Sequence, residues 1–374
     1  MKTRTNPSFQ HWRLAARAAL LLLAAGSLLP ESATAQSVTK DVLLRNIVRD
    51  VIVPGYQELA AKSHALTVAL EDFTKAPTPE SLDRARKAWV AALLASRHIQ
   101  WLQTGPIADR EYIASFCYAK VLPARMEEVL NSSRAIDDSY LAELGATAKG
   151  MFALEHLLFG RKSDPAVTNA ATVSVLELFS RPESPRRRQY VLALARDLEA
   201  KASQLDKDWT APGDQGAAAK FVASGQDSLN RVVNHLAQLI EQVAEQRINF
   251  VLQLHPPISR QFDRIEGSAS GTSSQSATAL LQGAQKLYRG AEGAGLETYL
   301  KHLNAPLAER SQGMFETAIA AVQAIGAPQE DVVSRNRASV EDAYQKTRAL
   351  EVLCKTDLAS ALGVTITFTS GDGD

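Results

Sequence analysis

The sequence predicts an all-α fold in which long, one-sided helices pack as bundles. Three observations predict it: apolar residues recur at three- and four-residue spacing along almost the whole chain, proline and glycine lie at the ends of these runs, and strand patterns are scarce. Hydrophobic residues make up 45% of the 374 residues and charged residues 22%. This composition is typical of a globular protein and argues against both a disordered chain and a multi-span membrane protein.

The first 35 residues have the pattern of a secretory signal peptide. Four basic residues precede a short apolar run at positions 18–29, namely Lys2, Arg4, Arg13 and Arg17. The small residues Ala33 and Ala35 then occupy the positions that a signal peptidase recognises, so we expect cleavage before Gln36. The alternative is an N-terminal anchor that is never cut. Cleavage would give a periplasmic protein with no transmembrane helix, because the apolar run that could serve as one is removed.

The charge of the mature chain does not indicate a nucleic-acid partner. The full chain has 41 basic and 41 acidic residues. The signal segment holds four of the basic residues and one acidic residue, so the mature chain has a net charge of about −3. No helix face concentrates basic residues as binding to nucleic acid or to an anionic membrane requires. We expect neither partner.

The first well-delimited helix begins at Thr78-Pro79 and ends at Gly105-Pro106. Thr78 is a favourable N-cap, and proline is favoured at the first helical position. The predicted buried face of this helix carries Leu82, Ala85, Trp89, Ala92, Leu93, Ser96 and Ile99.

Three further long helices follow along the chain. One opens at Ser184-Pro185, one spans about residues 217–247, and the last spans about residues 329–361. Their apolar stripes contain Val191, Leu194, Leu198, Ala202 and Leu205; then Val222, Leu229, Val232, Val233, Leu236, Ile240 and Val243; then Val340, Ala343, Tyr344, Leu350 and Cys354. Helices this long and this one-sided are stable only when they pack against each other.

Two loop segments lie between the predicted helices. Residues 161–171 follow a short helix that ends in glycine, and the small-residue segment GSASGTSS at 267–274 is long enough to form a mobile loop. We place the boundary between an N-terminal half, residues 36–181, and a C-terminal half, residues 182–374, close to the first loop.

The C-terminal segment is the only stretch with a convincing strand pattern. Residues 364–369 alternate and are rich in β-branched side chains. Because one strand cannot form a sheet alone, this segment should lie as an extended strap against the helical body. The two cysteines, Cys117 and Cys354, could form a disulfide in an oxidising compartment, or each could be a buried free thiol.

Five segments occur in one order along the chain and together resemble a known family. They are VPGYQ at 53–57, ARKAW at 85–89 leading to Gly105-Pro106, GMFALEHLLFG at 150–160, RRQY at 187–190 leading to Trp209, and ALGV at 361–364 leading to Phe368 and the terminal DGD. The family is the imelysins, which includes M75 peptidases, iron-regulated exported proteins and the periplasmic component of a ferrous-iron uptake system. The resemblance implies two helical-bundle halves, duplicated four-helix bundles, with a functional cleft between them.

The resemblance also places a family signature, G-x-H-x-x-E, on Gly150, position 152 and Glu155. This sequence has Phe152 where the family has histidine, and phenylalanine cannot coordinate a metal. The neighbours Glu155 and His156 remain as candidate metal ligands, whereas a catalytic zinc needs about three protein ligands. No two of the remaining histidines have metal-ligand spacing. Whether iron or another divalent cation binds here stays open, and we assign no catalytic residue.

Glu155 is the candidate functional residue with the strongest physical basis. It lies on a helix otherwise rich in large apolar residues, so burial should raise the pKa of its carboxyl group. Two interpretations stay open: Glu155 binds a cation or another ligand, or it forms an ion pair with an arginine such as Arg97. The predicted ligand-binding residues are therefore Gly150, Phe152, Glu155 and Arg97.

Three functions are compatible with these residues. The first is an exported protein that binds a small ligand or metal ion and is connected with iron or metal uptake. The second is an M75-type metallopeptidase in which His156 or a distant residue replaces the missing ligand, and the third is a non-catalytic scaffold that contacts another envelope protein. The missing histidine favours the first and third functions, and the retained Gly150 and Glu155 favour the first. Motifs for a serine hydrolase or for nucleotide binding are absent.

Overall fold

Eight helices form the body of the protein in the computed structural model, which describes residues 38–160, 174–182, 184–255, 258–290 and 295–367. They are α1 (Val53–Lys75), α2 (Pro79–Ile99), α3 (Met151–Phe159), α4 (Ser184–Thr210), α5 (Gln226–Glu241), α6 (Ser273–Arg289), α7 (Leu296–Ala324) and α8 (Arg337–Leu353). The described residues contain no β-strand. The predicted signal peptide and the loop at 161–171 lie outside the described residues.

Shorter helical segments connect and extend these eight helices. They span Lys40–Ile47, Pro106–Asp109, Ile113–Cys117, Pro123–Asn131, Asp138–Glu143, Val175–Ser180, Ala217–Ala223, Phe250–Gln253, Gln329–Val332 and Ala359–Ala361, with 3₁₀ turns at Ala146–Ala148 and Ile258–Arg264. Three stretches are wound as π-helix, namely Val48–Ile52, Gln242–Asn249 and Cys354–Leu358. Such π-helical turns are rare and occur often at functional sites.

These eight helices, α1 to α8, pack as two sets of four. In the first helix set, α1 and α3 each pack against both α2 and α4. In the second helix set, α5 and α7 each pack against both α6 and α8. The two sets are joined where α2 lies against α6. The division into halves at residue 182 stays a prediction; by packing, α4 belongs with α1 to α3.

The contact between α2 and α6 depends on a glycine. A Cβ atom at Gly283 of α6 would lie 2.3 Å from the carbonyl oxygen of His98 in α2. No side chain fits in that space, so the two helix backbones can approach this closely only because residue 283 is glycine.

The predicted N-terminus of α2 is confirmed in atomic detail. The side chain of Thr78 accepts a hydrogen bond from the backbone N–H of Ser81 at 3.2 Å, and the Ser81 hydroxyl accepts one from the backbone N–H of Thr78 at 3.0 Å. This reciprocal pair satisfies two backbone donors that a helix start leaves unpaired. The predicted apolar stripes of α2 and α4 are buried throughout.

Three helix predictions need correction. Helix α2 ends at Ile99 and does not continue to Gly105-Pro106. The helix expected over 217–247 is broken at Gly225, whose φ of 51° is incompatible with a continuous α-helix, and its C-terminal part is wound as π-helix. The helix expected from 329 begins as the short segment Gln329–Val332, and the long helix α8 starts only at Arg337.

The C-terminal segment lies against α5 as an extended strap. The side-chain amide of Asn234 donates to the carbonyl oxygen of Thr365 at 2.9 Å and accepts from the backbone N–H of Thr367 at 2.7 Å. One amide side chain therefore takes the place of a neighbouring strand, and Val364 is buried beside it. Residues 368–374 lie outside the described residues.

Candidate ligand-binding cleft

Helix α3 carries the signature residues, and a glycine fixes where it starts. Gly150 has a φ of 84°, and a Cβ atom there would lie 2.5 Å from the carbonyl oxygen of Ser115. The indole Nε1 of Trp89 in α2 donates to the carbonyl oxygen of Met151 at 2.9 Å. Because both contacts are to the backbone, the first turn of α3 is held firmly against its neighbours.

Glu155 is buried and accepts hydrogen bonds from Ser270, in the turn that leads into α6 of the second helix set. Its side chain is 6% exposed, and its Oε1 accepts hydrogen bonds from the backbone N–H of Ser270 at 3.0 Å and from the Ser270 hydroxyl at 2.6 Å. Burial raises the pKa of Glu155 to about 7, although the Ser270 hydrogen bonds and the nearby Arg97 act in the opposite direction. The carboxyl group therefore exchanges its proton near neutral pH.

The small-residue segment at 267–274 packs tightly, contrary to the mobile loop that the sequence suggested. Gly267 and Gly271 have φ of 73° and 71°, and a Cβ atom at Gly267 would lie 2.6 Å from the Thr272 hydroxyl oxygen. Ser268, Thr272, Ser273 and Ser274 are buried. The segment forms a tight turn into α6, and it is this turn that presents Ser270 to Glu155.

Arg97 is fully buried, and its ionic partner is Glu266. The Arg97 Nη2 donates to Oε1 of Glu266 at 2.9 Å, and its Nε donates to the Ser276 hydroxyl at 3.0 Å. The second carboxylate oxygen of Glu266 accepts from Arg247 at 2.9 Å. The expected alternative of an ion pair between Glu155 and Arg97 is therefore wrong: the guanidinium of Arg97 is engaged by Glu266.

Phe152, where the resemblance predicts a histidine, is packed against Arg97. The guanidinium carbon of Arg97 lies 5.3 Å from the centroid of the Phe152 ring, a distance typical of a cation–π contact. The ring is 2% exposed and meets the indole of Trp89 edge-on, with 6.5 Å between ring centroids. The aromatic ring thus covers the arginine with apolar atoms.

The sequence matches a known family over most of its length. Residues 52–359 match the model of the family described as peptidase M75, imelysin. The chain belongs to the imelysin family. It is 26% identical over 320 residues to iron-regulated protein A of Synechococcus elongatus, an alignment that covers 82% of this chain and 81% of the relative.

Two crystal structures have the same fold. A putative iron-regulated protein A precursor from Parabacteroides distasonis superposes with a TM-score of 0.70 at 14% identity, covering 89% of this chain and 97% of the other. An imelysin-like protein from Psychrobacter arcticum superposes with a TM-score of 0.68 at 18% identity, covering 89% and 98%. The predicted all-α, imelysin-like fold is confirmed.

A small cavity of this imelysin lies beside the signature residues. Its volume is about 200 Å³, and Phe152, Glu155 and His156 line it together with residues 266–269. It shares Ile265, Glu266 and two residues of the segment before Pro123 with a second, larger cleft of about 1110 Å³. Among the predicted site residues, Phe152, Glu155 and His156 line the cavity, whereas Gly150 and Arg97 do not.

Among the described residues, Glu155 and His156 do not form a metal centre with other side chains. The described residues contain no group of three or more His, Cys, Asp or Glu side chains placed to hold a metal ion. Glu155 and His156 are adjacent donors, but both oxygens of the nearby Glu266 already accept hydrogen bonds from arginines. A metal ion bound here would need ligands beyond those that the described residues supply.

Three residues of the site were not predicted from the sequence. Glu266, Arg247 and Ser270 come from segments far from α3 along the chain. One sequence signal pointed to the segment that contains Ser270: the glycines at 267 and 271, followed by a serine-rich helix start. This pattern is typical of backbone packed too closely for larger side chains.

Two remaining expectations concern the thiols and the membrane. Cys117 and Cys354 are free thiols, so the disulfide alternative is not realised in this structure. In the part of the chain that the structure describes, no helix has the length and apolar character needed to cross a bilayer.

Proposed function

We propose that this imelysin is an exported, periplasmic binding protein that captures its ligand beside Glu155 and serves iron or metal uptake. The observation that carries the proposal is a buried carboxyl group at the wall of a cavity that His156 also lines. Burying a carboxyl group costs free energy, and a protein retains such a group where it serves a function or a specific structural contact. The tight turn at Ser270 fixes the orientation of this carboxyl group.

The connection with iron is supported by the relatives. The Synechococcus protein is named for iron regulation, and the Parabacteroides protein is described as a precursor. A precursor relative agrees with the signal-peptide pattern of residues 1–35. In this proposal iron is cargo: Glu155 and His156 contribute two donors, and water or a small chelator completes the coordination.

A binding role fits the residues better than peptidase chemistry does. A catalytic zinc needs about three protein ligands and an open position, and Phe152 removes one ligand from the signature helix. Its ring is packed against Arg97, so the change is accommodated by the surrounding side chains. A scaffold that contacts another envelope protein is the outcome left if no small ligand binds.

The test is calorimetric titration of the purified protein with ferrous, ferric and zinc ions. The variant is Glu155→Gln, and the matched control is Glu128→Gln, an exposed carboxyl group on Pro123–Asn131. We expect iron binding with a dissociation constant on the order of 1 µM, weakened at least about tenfold by Glu155→Gln and unchanged by the control. Iron binding that is absent, or equal in all three proteins, would overturn the proposal.

A further inference from the structure

Two buried arginines share one carboxylate beside the larger cleft. Arg97 is fully buried and Arg247 is 9% exposed, and the two oxygens of Glu266 accept one hydrogen bond from each guanidinium. Arginine keeps its charge even where burial lowers its pKa, as it does for Arg247. The trio therefore carries one excess positive charge in a place where an unpaired charge is costly.

The excess charge faces the cleft at Arg247. Its Nη2 is used by Glu266, and its Nη1 makes a long contact of 3.4 Å with the carbonyl oxygen of Gln242. The Nε of Arg247 has no hydrogen-bond partner among the described residues. Arg247 lies in the π-helical stretch Gln242–Asn249 and forms part of the cleft wall. A nine-tenths buried guanidinium in the cleft wall thus has a donor without a hydrogen-bond partner among the described residues.

The rest of the cleft combines apolar surface with further cations. Its volume of about 1110 Å³ is sufficient for a small organic molecule. Tyr118, Phe250 and Ile265 provide apolar wall, and Lys120 and Arg264 add positive charge. Of the two acidic side chains in the wall, Glu266 is already engaged by arginines. The cleft therefore suits a ligand with an apolar body and a negative group.

We propose that this cleft binds a carboxylate-bearing organic molecule, with Arg247 as the residue that anchors the carboxylate. The Nε–H of Arg247, the donor without a partner, can donate a charge-assisted hydrogen bond to a carboxylate oxygen, and one monoanion would balance the excess charge of the trio. The inference rests on the proposed function, because the two cavities share part of one wall, and it names the ligand class.

The test compares three naphthalene probes that differ in charge. They are 2-naphthoate, the neutral 2-naphthalenemethanol and the cationic 2-naphthylmethylamine, each titrated into the full-length purified protein by calorimetry. We expect 2-naphthoate to bind at least about tenfold more tightly than the alcohol, and the amine most weakly. Equal binding of the acid and the alcohol would overturn the proposal.

Arg247→Met is the decisive variant, because it keeps the length of the side chain and removes its charge. It leaves Arg97 and Glu266 as a balanced pair, so we expect the variant to fold, which its thermal denaturation checks. The preference for 2-naphthoate should disappear in Arg247→Met and persist in the control Arg196→Met, which removes an exposed arginine paired with Glu71. A preference that survives Arg247→Met would contradict the anchor role.

A second measurement applies if Arg247→Met does not fold. Cys117 lines the cleft, whereas Cys354 is fully buried, so iodoacetamide should alkylate Cys117 alone. Burial raises the pKa of the Cys117 thiol, so the reaction is run at about pH 9. We expect 2-naphthoate to slow alkylation of the unmodified protein at least about fivefold, and the alcohol at equal concentration to have little effect. Equal rates with and without 2-naphthoate would overturn the proposal.

The measurements distinguish failure of the carboxylate site from failure of the proposed function. Iron binding that depends on Glu155, together with no preference for 2-naphthoate, would remove only the carboxylate site. A preference for 2-naphthoate that depends on Arg247, together with iron binding indifferent to Glu155→Gln, would remove the proposed function and keep the anionic cleft.

Discussion

At the scale of single residues, the carboxyl group of Glu155 is subject to opposing effects. Burial favours its neutral form, whereas two hydrogen bonds from Ser270 and the charge of Arg97 favour the ionised form. Burial is the larger effect, which brings the pKa to about 7. A cation entering the cavity competes with this proton, so its affinity should rise with pH up to about neutrality.

The same pKa predicts how stability depends on pH. Because the pKa of Glu155 in the folded chain lies above the ordinary value of 4.5, the folded chain holds the proton more firmly than the unfolded chain. This stabilisation is complete below about pH 4.5 and is lost as pH rises through 7. Relative to Glu155→Gln, the wild-type free energy of unfolding should fall by roughly 3 kcal/mol between pH 4.5 and pH 8.

Urea denaturation at both pH values measures this difference. Glu128→Gln is the control, because its exposed carboxyl group should give nearly the same difference from wild type at both pH values. If the difference between wild type and Glu155→Gln is also constant, the carboxyl group does not titrate near neutral pH in the folded protein.

Placing a histidine at position 152, as the resemblance predicts, tests how Phe152 affects metal binding. Positions 152 and 155 are three apart on α3, and both line the small cavity, so Phe152→His adds an imidazole on the face of Glu155. We expect zinc affinity, measured by calorimetry, to rise at least about tenfold above wild type. Phe159→His, on the same helix but outside this cavity, serves as control. Equal zinc affinity in the two variants would show that position 152 does not limit metal binding.

At the scale of the helices, close contacts at glycines position the site. Gly150 lets α3 begin against the backbone of Ser115, and Gly283 lets α6 lie against α2. Both contacts are to backbone atoms, which cannot rotate away as a side chain can. A substitution at either glycine should therefore move a whole helix.

Gly150→Ala separates steric contact from backbone conformation. Gly213 has nearly the same φ, 86° against 84°, but a Cβ atom added there would have no neighbour within 4 Å. We expect Gly213→Ala to lower the free energy of unfolding by about 1 kcal/mol, and Gly150→Ala by roughly 3 kcal/mol because of the added clash with Ser115. Thermal or urea denaturation measures both. Equal losses in the free energy of unfolding would mean that the backbone around α3 shifts to accommodate the added methyl group without further destabilisation.

Comparing Gly283→Ala with Gly313→Ala tests a steric contact within helices, where neither residue has a positive φ. Gly313 lies within α7 and has nothing within 4 Å of an added Cβ, so Gly313→Ala should stabilise the protein by up to about 1 kcal/mol through helix propensity. Gly283→Ala should instead destabilise it by roughly 2 kcal/mol or more, because the methyl group meets the backbone of His98. A stabilising Gly283→Ala, seen by urea denaturation, would contradict the close packing of α2 and α6.

At the scale of the whole molecule, the candidate site joins the two helix sets. Glu155 of the first set is bound by Ser270, and Arg97 of α2 by Ser276 of α6. The site is therefore assembled only when both sets are folded and packed together. Substitutions that disturb the packing between the two sets should therefore weaken ligand binding, as should substitutions of residues that contact the ligand.

The sequence predicted the features that depend on nearby residues. The N-cap at Thr78 and the buried stripes of α2 and α4 follow from local patterns. Burial of Glu155 was predicted in the same way, because its neighbours on the helix are apolar.

The pairing of charges could not be predicted from local patterns. Arg97 and Glu266 are 169 positions apart, and nothing near either residue indicates which partner it meets. The π-helical winding that places Arg247 in the cleft wall likewise depends on packing between helices. These long-range contacts are the ones that define the larger cleft.

Anomalous diffraction from crystals grown with ferrous iron is the decisive experiment for metal capture beside Glu155. We expect an iron peak in the small cavity, within coordination distance of the Glu155 carboxyl group, in wild-type crystals and not in Glu155→Gln crystals. A peak in the same place in both proteins, or iron bound only elsewhere on the molecule, would contradict the proposal that Glu155 marks the site of ligand capture.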